Sequence, residues 1–77
     1  MISMTETELN QIRKDWQLNA AQLARILCVH TNKMSEYLSG VTPIPCSLAM
    51  HVEALQRLAD DTRATLFEQR LHRKAHS

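Results

Sequence analysis

Residues 23–40, LARILCVHTNKMSEYLSG, hold two short apolar-periodic segments with about three residues to turn between them. Leu23, Ala24 and Leu27 share one side of the first segment. Met34, Tyr37 and Leu38 share one side of the second. Spacings of three and four are the helical period. So short a turn makes the two helices cross and share one small core, with Val29 as a buried plug between them. The second segment opens on His30, Thr31, Asn32 and Lys33, four side chains with hydrogen-bonding groups. A helix that only fills a core has no need of that cluster.

The rest of the chain reads as helix too. Thr5 can cap a first helix with Glu8 reaching back to it, and Leu9, Ile12 and Trp16 then form one stripe, which predicts a helix from Glu6 to Asp15. Asn19 and Gln22 repeat the capping pattern before a helix over Ala20–Leu27, and His30 or Thr31 starts the third. Gly40 sits where a helix C-terminus needs a left-handed residue. Pro43 and Pro45 stop that helix from running on, and Ile44 between them is expected to be buried. Leu48, Val52, Leu55 and Leu58 predict a fourth helix from Ser47. For Leu66, Phe67 and Leu71 two readings stand. Either Asp60, Asp61 and Thr62 cap a fifth helix from Thr62 to about His72, or the fourth helix runs on through them.

With one Gly and two Pro in 77 residues there is little material for the turns of a sandwich or barrel. The expected architecture is a compact all-α domain of four to five helices over residues 1–77. Residues 5–60 form its helix-turn-helix core and 61–77 a C-terminal helix and basic tail. A core this small is often completed by association into a dimer.

Net charge is only +1, but from Thr62 onward Arg63, Arg70, Arg73 and Lys74 face a single carboxylate, Glu68, with His72 and His76 among them. These cations either suit a helix dipole or face phosphates. Cys28 and Cys46 are too few for a disulfide framework, and with His30 and His51 they match no familiar zinc spacing. Two buried structural thiols and no metal are expected. The start MISMTETEL lacks the basic and apolar runs of a signal peptide, and no stretch is long enough to span a bilayer, so a cytoplasmic protein is expected. No nucleophile with a base, paired carboxylates or glycine-rich phosphate loop appears. That argues against an enzyme, a cofactor or a small-molecule ligand.

In a helix-turn-helix, the outer face of the second helix is free to enter the major groove of double-stranded DNA, N-terminus first. Thr31, Asn32, Lys33 and Glu36 are the candidate base readers. Asn suits adenine and Lys suits guanine or a phosphate. Glu36 can accept from cytosine N4 or pair with Lys33. Gln22, Arg25, His30, Ser35 and Thr42 are the candidate contacts to the DNA backbone. For Gln22 and His30 the competing role is to cap their own helices, and for Thr42 to cap the loop. Trp16 and Tyr37 read as core rather than base-stacking platforms.

Residues 18–40, LNAAQLARILCVHTNKMSEYLSG, resemble the phage-repressor and Cro-type helix-turn-helix domain, with its L-A, its turn and its closing S-G. The resemblance continues through P-I-P and the fourth helix. M-x-x-Y-L-S before a proline-containing loop and an apolar helix is also similar to the anti-CRISPR-associated regulators, which are dimeric repressors of their own operons. Two departures stand out. Cys28 occupies a turn position where the family has Gly, at a cost of about 1 kcal/mol if left-handed. His30 replaces the usual Ser or Thr cap. The resemblance implies a homodimer on an inverted repeat, its recognition helices about 34 Å apart. Leu55, Leu58, Leu66, Phe67 and Leu71 are the candidate dimer interface. The competing reading folds Phe67 and Leu71 back onto the chain's own first helix. An antitoxin or adaptor that uses the helix-turn-helix for protein docking is the alternative function, and it predicts salt-labile, sequence-blind DNA binding.

Overall fold

The computed structural model describes residues 4–72. They form five α-helices: α1 (Glu6–Asp15), α2 (Ala20–Leu27), α3 (Thr31–Ser39), α4 (Cys46–Gln56) and α5 (Asp60–Leu71). No strand occurs among the described residues.

Neighbouring side chains close the first three N-termini. Thr5 Oγ1 accepts from the Glu8 N–H at 3.2 Å while Glu8 Oε1 accepts from the Thr5 N–H at 2.9 Å. Asn19 and Gln22 repeat this exchange at 2.8 and 2.9 Å. Such a cap stabilises its helix by about 1 kcal/mol. At α3 the cap is His30, whose Nδ1 accepts from the Asn32 N–H at 3.2 Å. Gly40 closes α3 at φ +82°, where only glycine is unstrained. Cys28 closes α2 in the left-handed region, φ 59°, and Gln17 adopts the same φ after α1.

The central helix is α2, which packs on α3, α4 and α5, while α1 packs on α3. Leu23, Ala24, Ile26 and Leu27 are all buried on it. Leu9, Ile12, Leu18, Met34, Tyr37, Leu48, Val52, Leu55 and Phe67 complete the centre. Cutting Leu23 back to Ala removes a fully buried side chain, a loss of about 2–5 kcal/mol.

The carboxyl ends of the later helices are held by side chains from other elements. Arg70 Nη1 donates to Ile26 O of α2 at 2.8 Å, and Arg25 Nε on α2 donates to Arg70 O of α5 at 3.2 Å. Asn10 Nδ2 on α1 donates to Leu38 O of α3 at 2.8 Å. Arg63 Nη1 reaches back to the end of α4, to Leu58 O at 3.1 Å and Leu55 O at 3.4 Å, and its guanidinium lies 5.7 Å from the Trp16 ring centre.

Several expectations are corrected. α4 and α5 are separate helices. α5 begins at Asp60 rather than Thr62, with Ala59 as a cap that offers no side-chain bond. Asp60 and Asp61 sit in its first turn, where their charge suits the dipole. α4 begins at Cys46 and not at Ser47. Cys28 and Cys46 are exposed, not buried. Val29 and Ile44 are half-buried against the core.

Two residues of the expected dimer surface lie in the core. Leu55 is 3% exposed and Phe67 9%, both inside the chain's own core. Phe67 meets Trp16 edge-on, with ring centres 4.9 Å apart. Both have little surface to offer a second copy; Leu58, Leu66 and Leu71 keep more. Among the described residues no helix is long and apolar enough to cross a membrane. Arg73, Lys74 and His76 lie outside the described residues.

Candidate nucleic-acid interface

On α3 each residue turns about 100° from the last. Met34 and Tyr37 are buried, so the side facing away carries Asn32, Ser35 and Ser39, with Glu36 beside them. Thr31 and Lys33 flank that face. Thr31, Asn32, Lys33 and Ser35 are all exposed. Ser39 is absent from the sequence reading, although its spacing of four from Ser35 and seven from Asn32 puts it on this face. Its hydroxyl turns back to donate to Glu36 O at 3.2 Å.

Two clusters form around this face. The first is an open groove lined by Gln22, Arg25, His30 and Thr31, together with Asn19, Ala21, Val29, Leu71 and His72. It brings the amino ends of α2 and α3 together, and both carry positive dipole character. Gln22 Oε1 is spent on the Asn19 N–H, which leaves the Gln22 amide hydrogens as donors. His30 Nδ1 accepts from the Asn32 N–H, so the neutral ring carries its proton on Nε2, a further donor. Arg25 belongs to this groove, but its Nε is engaged by the end of α5.

The second cluster joins α3 to the loop after it. Glu36 Oε1 accepts from Thr42 Oγ1 at 2.8 Å and from Lys33 Nζ at 3.5 Å. Glu36 O also accepts from the Val41 N–H at 3.0 Å. The Thr42 hydroxyl, and then the Lys33 charge, hold the Glu36 carboxyl below the usual carboxylate range. Thr42 has one hydroxyl hydrogen and gives it to Glu36. Of the two roles open to Thr42, phosphate donor or loop cap, this contact is the loop cap.

The basic C-terminal stretch divides. Arg63 closes the end of α4 and pairs with Asp60 Oδ1 at 2.7 Å, and Arg70 closes α2. Both cations serve helix ends, not a free surface. Arg70 Nη1 also lies 3.1 Å from His51 Nε2, and since a guanidinium has no acceptor, Nε2 must accept. Burial, and then the Arg70 charge, push the His51 pKa down. Among the described residues no group of three or more His, Cys, Asp or Glu is placed to hold a metal. No family model, curated protein or solved structure matches the chain.

Proposed function

We propose that the chain is a sequence-specific regulator that binds double-stranded DNA, with α3 in the major groove and the amino ends of α2 and α3 against the phosphates. The observation that carries this is the division of α3. Met34 and Tyr37 are sunk in the core, while Thr31, Asn32, Lys33 and Ser35 stand exposed on its first turns beside a donor-lined groove.

The protein acts in this reading as a cytoplasmic homodimer on an inverted repeat, repressing its own operon. The narrower resemblance points to an operon of the anti-CRISPR kind. Half-buried Leu58 and Leu66, which line a shallow groove with Thr62 and Thr65, are the revised dimer surface. One observation favours the adaptor reading: Val41 and Met50 are 74% and 52% exposed, apolar surface suited to another protein.

An electrophoretic shift on the DNA immediately upstream of the chain's own gene, against shuffled DNA of equal composition, separates the two. The regulator binds the upstream fragment selectively, and Asn32→Ala weakens that binding by about 1–3 kcal/mol. Equal binding to both fragments, lost together as salt rises, refutes the regulator and supports the adaptor.

A further inference from the structure

Glu36 stands on the outward side of α3 one turn beyond Asn32, and its carboxylate is already fixed. Thr42 Oγ1 and Lys33 Nζ both reach the same oxygen, Oε1. The second oxygen, Oε2, accepts no hydrogen bond among the described residues. The Val41 N–H on Glu36 O ties the loop that carries Thr42 to the same residue. A flexible glutamate has thereby become a positioned acceptor with one oxygen spare.

From this placement we infer that Glu36 is a specificity-determining residue that selects a cytosine through Oε2, with Thr42 as its positioning residue. This rests on the regulator reading above. The chemistry is directional. In the major groove cytosine offers an N4 amino donor, while guanine offers the O6 and N7 acceptors and thymine O4. An ionised carboxylate accepts only. It therefore bonds the first and is repelled by the other two, while adenine's N6 donor is offset by the N7 acceptor beside it. Asn32 and Glu36 lie four residues apart, about 6 Å along the helix. Base steps are about 3.4 Å. The half-site should thus hold an adenine and a cytosine one or two steps apart. Lys33 then has a role besides its own contacts: it offsets the charge that Glu36 brings near the phosphates.

The test is selection from a library of random double-stranded DNA by the full-length protein, followed by affinities for single-base variants of the selected site. The wild type should enrich a half-site with a cytosine near an adenine. Exchanging that cytosine for thymine should weaken binding about five- to 100-fold. Glu36→Gln, which both donates and accepts, should flatten that discrimination. Thr42→Val should reduce it in part, while the adenine preference assigned to Asn32 remains. A merely structural Thr42 would weaken all sites equally. An enriched site without the cytosine, or a cytosine preference that survives in Glu36→Gln, overturns this inference alone. If no sequence is enriched, the regulator reading falls and this inference with it.

Discussion

Replacing Phe67 by Ala asks whether α5 belongs to the fold or to an interface. Phe67 is 9% exposed and meets Trp16 edge-on at 4.9 Å between ring centres. A Phe→Ala change in a core costs about 3–5 kcal/mol. Phe67 lies at the edge of the core, where some relaxation is possible, so the lower end, about 3 kcal/mol, applies. Loss of the ring pair with Trp16 belongs within that figure and amounts to about 0.5–1.5 kcal/mol. A chain of this length has about 4–12 kcal/mol of stability in all, so the variant should be folded but much weakened. Trp16 is the only tryptophan, and its fluorescence reports on this contact directly. Urea unfolding followed at two protein concentrations should show a lower midpoint with an unchanged slope, and the same loss at both. A loss under about 1 kcal/mol, or one that vanishes at high protein concentration, refutes the intramolecular assignment, since an interface contact is strengthened by mass action. By the same logic, ending the chain after Asp60 removes core and should not leave a stable remnant.

His51 should make stability fall in acid. Its folded pKa is depressed, so the neutral ring is the stabilised form. That contribution is complete above the ordinary value of 6.5 and is lost as pH falls below it towards the folded pKa. Urea unfolding at pH 7.5 and 5.5 should show a smaller drop for His51→Gln than for the wild type, and equal drops would refute the depressed His51 pKa. Cys28→Gly should raise stability, by at most about 1.5 kcal/mol. It relieves a left-handed strain of about 1–2 kcal/mol against about 0.5–1 kcal/mol of added chain entropy. A lower urea midpoint for this variant would show that the turn is not strained at Cys28.

The amino ends of α1, α2 and α3 were legible because each cap is built from residues two or three positions apart. The Thr5–Glu8 and Asn19–Gln22 exchanges occur as the pattern predicts. The left-handed Cys28 was legible only from the glycine that the helix-turn-helix domains it resembles place at that turn. The carboxyl ends were not. The donor to Leu38 O is 28 positions away and the donor to Ile26 O is 44 away, and no local pattern carries such pairs. The break between α4 and α5 contains neither Gly nor Pro and is held by Arg63 reaching back, so composition could not show it. In the site, exposure of the first turns of α3 followed from periodicity. The fate of Thr42 did not, because a phosphate donor and a loop cap were both open and its partner Glu36 lies six residues away.

The exchange of arginines between α2 and α5, with Asn10 holding α3, bears on motion. A helix ordinarily frays from its ends at little cost, one turn at a time. Here unwinding the last turn of α2 frees the Ile26 carbonyl from Arg70, and the same event loosens the seat of Arg25 on α5. Opening either helix end breaks a bond that the other depends on, so the two should behave as one foldon. For α3 the asymmetry runs along its length. Its far end is pinned to α1 through Asn10, while its leading turn is held by His30, two residues from Asn32. The pinned end acts as a pivot, and the remaining compliance lies at the leading turn, where side chains must adjust to the edges of the bases they meet.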